Sequence, residues 1–123
     1  MNDSALERTI DRHLAALCDP DPGRRSDAVR AVWNADGRLV DPPQEGRGHQ
    51  GIADQAAIVL THFPAHRLER TTTIDSHHGF LRYGWRLLAP DGMPAAEGVD
   101  FAQLDVDGRL LQIVGFFGTQ PAA

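Results

Sequence analysis

Lysine is absent from this sequence, and its absence restricts both the partners and the chemistry of the protein. All 12 basic residues are arginines, set against 17 acidic residues for a formal net charge of -5. The arginines are spread along the chain between acidic residues, whereas proteins that track phosphate backbones gather positive charge on one face, so we expect no nucleic-acid partner. Without lysine no side chain can form a Schiff base, and carbonyl chemistry has to use acids, imidazoles or arginines.

Cysteine is nearly absent, and long apolar runs are missing. The single cysteine, Cys18, cannot form an internal disulfide, which fits a reducing compartment. Its acidic neighbours make it a poor candidate nucleophile. No stretch approaches the roughly 20 apolar residues that span a bilayer, and the charged N-terminal segment lacks the apolar run of a secretory signal. We expect a cytoplasmic protein that does not bind membranes.

Common motifs for nucleotides, nucleophiles and metals are also missing. The sequence has no Gly-rich phosphate loop and no nucleophile elbow. His62 and His66 are four residues apart, as two zinc ligands on one helix would be, but Pro64 between them breaks that geometry. We therefore expect neither a metal site nor a cofactor.

The remaining pattern predicts one domain over residues 1–123, long enough to hold a core and an internal pocket. Apolar periodicity predicts a helix over 4–18, with Ser4 in a capping box, a second helix begun by Asp21-Pro22, and a third that Pro64 ends. A polar loop is expected from Pro42 to Gly48. The predicted strands are 38–41, 67–75, 79–88, 95–105 and 109–117. Helices followed by consecutive strands indicate an α+β domain with a curved antiparallel sheet wrapped around the helices.

Asp41 ends a short apolar strand, Leu39-Val40-Asp41, immediately before two prolines. Strand alternation places its side chain on the same face as Leu39, so it points toward the core if Leu39 does. Partial desolvation there would raise the pKa of the carboxyl and suit it to taking a proton from carbon. The alternative is that Asp41 only ends the strand through turn hydrogen bonds.

Asp100 shares a strand face with the small or apolar residues Gly98, Ala102 and Leu104. A buried acid needs a partner or a neutralising proton, and both arrangements are common at functional sites. The alternative is that Val99 and Phe101 form the inward face, which leaves Asp100 in solvent.

His13 lies within the apolar stripe of the first helix, where a histidine satisfied in the core is the alternative to a functional one. Tyr83 and Trp85 share a strand face with apolar neighbours, while Arg82 and Arg86 share the other face. The aromatic side of that strand could line a pocket or belong to the core. The candidate substrate-binding residues are aromatic: Trp33, Phe63, Tyr83, Trp85 and Phe117.

The order of these features resembles the nuclear transport factor 2-like superfamily, in particular its SnoaL-like and ketosteroid isomerase branch. The resemblance covers nearly the whole chain. It is carried by the first helix with His13-Leu14-Ala15-Ala16-Leu17, by Leu39-Val40-Asp41-Pro42, by Gly98-Val99-Asp100-Phe101 and by Gly115-Phe116-Phe117. It implies a cone-shaped, cystatin-like α+β barrel, in which N-terminal helices pack in a curved, mostly antiparallel sheet around an apolar cavity. It also implies a homodimer formed through the sheet.

The resemblance further implies roles for three residues. Asp41 stands where ketosteroid isomerase has its general base, and Asp100 stands where that enzyme has a protonated aspartate that donates a hydrogen bond. His13 replaces the tyrosine of the oxyanion hole. The implied function is proton transfer next to a carbonyl of a small apolar substrate, by an isomerase or a cyclase. SnoaL-like polyketide cyclases use an acid/base aspartate that Asp100 also matches.

Two other functions stay open at this stage. The domain could bind a ligand or form a dimer without catalysis, since fold does not determine function. It could also hydrolyse epoxides with an Asp-Arg-Asp set, in which Arg82 or Arg86 would serve, although neither stands in an Arg-x-Asp pattern. An enclosed pocket that holds Asp41, Asp100 and His13 would favour an enzyme. A cavity filled by aromatic side chains would favour a binding or structural role; the candidates for filling it are Trp33, Phe63, Trp85 and Phe117.

Overall fold

The computed structural model describes residues 3–118 and 122–123. Within that part of the chain three helices precede most of the strands: α1 (Asp3–Leu17), α2 (Pro22–Val32) and α3 (Gly48–His62). The predicted cap of α2 is confirmed, since the Asp21 carboxylate accepts a hydrogen bond from the Arg24 N–H at 2.8 Å. Ser4 lies inside the first turn of α1, so its predicted role as an N-cap is wrong.

The described residues form seven strands in one sheet. Their bounds are β1 (Trp33–Asp41), β2 (Gln44–Arg47), β3 (Arg67–Arg70), β4 (Asp75–His77), β5 (Phe80–Leu88), β6 (Pro94–Leu104) and β7 (Leu110–Phe117). The order across the sheet is β2-β1-β7-β6-β5-β3, and β4 pairs with β5 beside β3. Only the β1–β7 pair is parallel among these, so the predicted α+β class with a mostly antiparallel sheet is confirmed.

The sheet curves without closing, and the helices pack on its concave face. α1 contributes Leu6, Ile10 and Leu14 to the core that lies between the two layers. The inward sheet positions are filled by Leu39 and Ile113, which are 2% and 0% exposed. Burial of these apolar side chains is the main favourable contribution to folding. No helix within the described residues is long and apolar enough to cross a membrane.

Two stretches outside the predicted strands form strands in the structure. β1 begins at Trp33, before the predicted start at residue 38, and has an irregular register against β7. The expected loop from Pro42 to Gly48 is a two-residue turn followed by β2, in which Gln44 pairs with Asp41. β2 contains no large apolar residue, so its backbone ladder with β1, and not side-chain burial, makes it a strand.

The predicted strand over 67–75 is interrupted. β3 ends at Arg70 and β4 starts at Asp75, and both pair with β5 along different stretches. Between them, Thr72 uses its hydroxyl to accept a hydrogen bond from the Gly84 N–H at 2.9 Å. This side-chain contact takes the place of a backbone ladder bond at the break.

Candidate active site

A cavity of about 350 Å³ opens between the helices and the concave face of the sheet. This volume is within the usual range of small-molecule sites. Most of the wall is apolar. The lining residues are His13, Leu14, Leu17, Leu39, Asp41, Pro42, Pro43, Gln44, Gln55, Ala56, Val59, His62, Phe63, Leu68, Trp85, Leu87, Ala96, Asp100 and Phe117. The three residues proposed for chemistry, Asp41, Asp100 and His13, therefore open onto one space.

Asp41 is the last residue of β1 and is partly buried. The buried position of Leu39 two residues earlier confirms that this face of the strand turns toward the core. Among the described residues, no hydrogen-bond donor and no cation contacts the Asp41 carboxyl. Burial raises the pKa of Asp41, because removal of water penalises the charged form. The carboxylate is thus a base without competing partners.

Asp100 lies on β6 and is 6% exposed, which confirms the inward face predicted from alternation. Tyr83 on β5 donates a hydrogen bond from its hydroxyl to Asp100 Oδ2 at 2.8 Å. Burial raises the pKa of Asp100 to about 7, and the nearby charge of Asp41 acts in the same direction. The Tyr83 hydrogen bond opposes this rise. The Trp85 N–H, which completes no hydrogen bond with the described residues, also favours the ionised form.

Gly115 brings the two carboxyl groups together. It lies on β7 between the strands that carry them, and it pairs directly with Asp100. A Cβ built on Gly115 would be 2.9 Å from Asp100 Oδ1 and would collide with Asp41 Oδ1. Both oxygens therefore occupy the space that a side chain at this position would fill. A glycine is required here for close approach of the carboxyl groups.

His13 reaches the cavity from α1 and is 1% exposed. The Trp33 indole N–H donates a hydrogen bond to His13 Nδ1 at 3.1 Å, and the two rings meet edge to face with centroids 5.4 Å apart. Burial lowers the pKa of His13 to about 3, because a charged ring would be desolvated. The imidazole is therefore neutral at ordinary pH, and a neutral imidazole keeps one N–H donor.

Three of the five aromatic residues expected to bind substrate line the cavity: Phe63, Trp85 and Phe117. Trp85 and Phe117 contact each other edge to face, with ring centroids 5.7 Å apart. Trp33 and Tyr83 are not part of the wall, which corrects the prediction for both. They lie in the core behind it. There the Trp33 N–H donates a hydrogen bond to His13, and the Tyr83 hydroxyl donates one to Asp100.

The two arginines considered for epoxide hydrolysis are outside the cavity. Arg82 donates to Asp75 at 2.8 Å, and Arg86 forms an ion pair with Glu69. Both lie on the exposed face of β5, opposite the face that carries Tyr83. Neither guanidinium can therefore reach a molecule bound beside Asp41 and Asp100.

Several site residues were not found from the sequence. Gly115 is essential to the carboxyl pair, but its role follows from strand register, which a single sequence does not reveal. Gln44 and Gln55 also line the cavity. For Gln55 a signal existed, since it lies three residues after Ile52 and four before Val59 on the apolar side of α3. A polar residue in an apolar stripe was the argument used for His13, and it applies equally to Gln55.

The remaining histidines do not form a metal site within the described residues. His49 is partly buried, with Nε2 at 2.7 Å from the Trp33 carbonyl oxygen. His62 Nδ1 and His66 Nδ1 each lie against a backbone oxygen of their own segment. Within residues 3–118 and 122–123, no three His, Cys, Asp or Glu side chains converge as a metal site would require.

The chain is similar to a protein of the SnoaL-like family from Agrobacterium tumefaciens C58, for which an isomerase activity has been proposed. The two share 35% sequence identity, the match covers 94% of this chain and 99% of that one, and the TM-score is 0.88. The chain belongs to the SnoaL-like family. No protein-family model and no curated protein matches the sequence.

More distant structures share the fold of this SnoaL-like protein. A SnoaL-like protein from Jannaschia, with a proposed polyketide cyclase activity, has 15% identity and a TM-score of 0.71, over 94% of this chain and 86% of that one. A protein of unknown function with a cystatin-like fold from Methylobium petroleophilum has 14% identity and a TM-score of 0.74, over 99% of this chain and 81% of that one. The cystatin-like fold expected from the resemblance is confirmed.

Proposed function

We propose that this SnoaL-like protein is an acid–base enzyme that transfers a proton at a carbon next to a carbonyl group. The observation that supports the proposal most directly is the carboxyl pair on either side of Gly115, because its two members differ in surroundings. Asp41 has no hydrogen-bond donor among the described residues, whereas Asp100 receives one from Tyr83. Pairs of titratable groups with divergent pKa values are typical of acid–base catalysis.

The two carboxyl groups have different tasks. Asp100 is the more deeply buried, and its pKa of about 7 lets it keep a proton when Asp41 is ionised. Two close carboxylates repel each other, which further favours a single charge on the pair. Asp41 is then the base, and protonated Asp100 is a hydrogen-bond donor.

The reaction moves one proton and one electron pair. Asp41 takes the proton from the carbon next to the carbonyl, and the C–H electrons form the C=C bond of an enolate. The negative charge collects on the former carbonyl oxygen, where Asp100 and His13 donate hydrogen bonds. In an isomerase Asp41 then returns the proton to another carbon. In a cyclase the enolate carbon instead attacks an electrophilic carbonyl carbon of the same molecule. The π electrons of that C=O bond move to its oxygen, which then takes the proton from Asp41.

The cavity favours a neutral substrate. Its wall contains two carboxyl groups and no arginine, so within the described residues it offers no guanidinium to pair with a carboxylate or phosphate. The apolar majority of the wall favours a compact, mostly apolar molecule that carries at least one carbonyl group. Phe63, Trp85 and Phe117 border the cavity without filling it, which favours a ligand-binding enzyme over a domain that only supports assembly.

Proton exchange with heavy water tests this function before the natural substrate is identified. A panel of small neutral ketones is incubated with the protein in D2O, and loss of the signal of the α-proton is followed by NMR. We expect exchange with the unmodified protein and a loss of at least roughly 100-fold in Asp41→Asn, because general base catalysis contributes about that much.

Asp107→Asn is the matched control, because Asp107 is exposed in the turn between β6 and β7. It should exchange protons at the unmodified rate. Equal rates in Asp41→Asn and the unmodified protein would exclude Asp41 as the base.

A further inference from the structure

Trp33 and His13 form a buried polar pair in which His13 lines the cavity and Trp33 lies behind it. Both side chains are 1% exposed, and the indole Nε1 lies 3.1 Å from His13 Nδ1. No other polar partner of the His13 ring is found among the described residues. The pair is therefore isolated from solvent and from competing hydrogen bonds.

The direction of this hydrogen bond is fixed by chemistry. An indole nitrogen can only donate, so His13 Nδ1 has to accept and cannot carry a proton. The ring is neutral, since burial lowers its pKa to about 3. A neutral imidazole with an unprotonated Nδ1 carries its hydrogen on Nε2, the nitrogen on the edge away from Trp33.

Trp33 is held in place by its backbone and by its ring. The backbone N–H of Trp33 donates a hydrogen bond to the Val29 carbonyl at the end of α2, and the Trp33 carbonyl oxygen lies 2.7 Å from His49 Nε2. The ring packs where Gly37 has no side chain, since a Cβ there would be 2.5 Å from Trp33 Cε3. Side chains locked by packing and hydrogen bonds are what an orienting residue requires.

We propose that Trp33 is a positioning residue that holds His13 in the neutral form able to donate a hydrogen bond into the cavity. This inference rests on the proposed function, in which His13 stabilises the enolate oxygen. The other tautomer would present a lone pair to that oxygen and repel it. Trp33 thus acts on the reaction through His13, without contact with the substrate.

The tautomer can be observed directly without any substrate. In protein labelled with 15N-histidine, long-range proton–nitrogen NMR spectra distinguish a protonated ring nitrogen from an unprotonated one. We expect His13 to show a protonated Nε2 and an unprotonated Nδ1, unchanged between about pH 8 and about pH 5. A protonated Nδ1, or a mixture of tautomers in the unmodified protein, would overturn the proposal.

A change of one atom isolates the role of the indole N–H. Incorporation of 3-benzothienylalanine at Trp33 keeps the ring shape and replaces the N–H with sulfur. We expect this protein, and Trp33→Phe if it folds, to show both His13 tautomers. The same replacement at Trp85, whose N–H has no hydrogen-bond partner among the described residues, should leave the His13 spectrum unchanged. An unchanged tautomer after replacement at Trp33 would contradict the proposal.

Kinetics then separate positioning from packing. The benzothienyl replacement at Trp33 should lower kcat for proton exchange by up to roughly tenfold, less than the roughly 100-fold loss for removing a hydrogen-bond donor with His13→Ala. In a His13→Gln background, where an amide donates without a tautomer, the same replacement should have little further effect. Equal losses in both backgrounds would mean that Trp33 acts only through packing.

The proposed function and the role of Trp33 can fail separately. If His13→Ala exchanges protons normally, His13 is excluded from the proposed function. The NMR experiment still decides whether Trp33 sets the tautomer of His13.

Discussion

At Asp100, burial, a hydroxyl donor and a second carboxyl act on one side chain. Burial has the largest effect on its pKa and raises it to about 7, which Tyr83 opposes by stabilising the charged form. Asp41 is less buried, so burial raises its pKa by less than it raises that of Asp100. The difference between the two residues arises from their depth in the fold, since the side chains are chemically identical.

We expect kcat/KM for proton exchange to follow a bell-shaped pH profile. The rate should fall on the acid side as Asp41 takes up a proton, and on the basic side near pH 7 as Asp100 loses its own. In Asp100→Asn the amide N–H donates at every pH, so the basic limb should disappear. A basic limb that persists unchanged in this variant would show that another group causes it.

Tyr83→Phe tests the source of the Asp100 pKa. Removal of the hydroxyl takes away a group that favours the ionised form, so the pKa of Asp100 should rise and the basic limb should move to higher pH. The free energy of unfolding should fall by about 1 kcal/mol for the lost hydrogen bond. Destabilisation measured with urea, without any movement of the basic limb, would limit Tyr83 to a structural role.

Some site residues could be predicted because they interrupt a regular pattern in the sequence, and others could not. Asp100 and His13 were found because a polar residue interrupts an apolar pattern of known period. Trp33 and Tyr83 were expected among the substrate-binding aromatic residues, but the pattern does not say how deep such a residue lies. Their place behind the cavity wall depends on sheet curvature and on hydrogen-bond partners distant in sequence.

At the scale of elements, β7 determines the distance between the two carboxyl groups. It separates β1 from β6, and its Gly115 leaves the space that both side chains enter. The helices were predictable from periodicity, capping and proline positions. β2 was not, because Gln44–Arg47 becomes a strand only through its ladder with β1.

Gly115→Ala is expected to disable the site while the fold remains. The added methyl group would displace the carboxyl groups of Asp41 and Asp100, and misplacement of reacting groups by about 1 Å can cost roughly 100-fold in rate. Gly23→Ala is the control, because a Cβ there meets only Asp21 Oδ2 at 3.4 Å. Circular dichroism and the exchange assay would check both variants. Normal exchange by Gly115→Ala would show that the carboxyl pair tolerates wider separation.

At the scale of the whole molecule, Asp100 links stability to pH. Its pKa is about 7 in the folded protein and near the ordinary 3.8 when unfolded, so the folded state holds more protons between these values. Relative to Asp100→Asn, the unfolding free energy of the protein should therefore fall as the pH rises through that window, by about 1 kcal/mol per pH unit. The opposite contribution of His13 is the same in both proteins and cancels.

Urea unfolding at a series of pH values measures this difference. The curve of the unmodified protein minus Asp100→Asn should be level at low pH, descend from about 4 to about 7, and then level off. The curve of the unmodified protein minus Asp107→Asn should show no such descent, because both proteins contain Asp100. A difference that stays constant with pH would mean that Asp100 is not protonated in the folded protein.

We propose that the exposed face of the sheet joins two copies of the chain. Phe80, Phe101 and Phe116 are 46–55% exposed there, and the rings of Phe101 and Phe116 meet with centroids 5.9 Å apart. Exposed aromatic clusters are typical of protein interfaces. Analytical ultracentrifugation should find a dimer that Phe101→Asp converts to a monomer, whereas Val106→Asp, in a solvent-exposed turn, should remain dimeric. A monomeric unmodified protein would contradict this.

The two tryptophans lie in different surroundings, so their fluorescence can report the binding of a molecule in the cavity. Trp85 borders the cavity, while Trp33 is enclosed in the core. Ultraviolet fluorescence of the pair should therefore combine a component that responds to a molecule entering the site with one that stays constant. Quenching of Trp85 would allow libraries of uncoloured ketones to be screened by titration, with Trp85→Phe as the silent reference, so that the natural substrate can be sought without a catalytic assay.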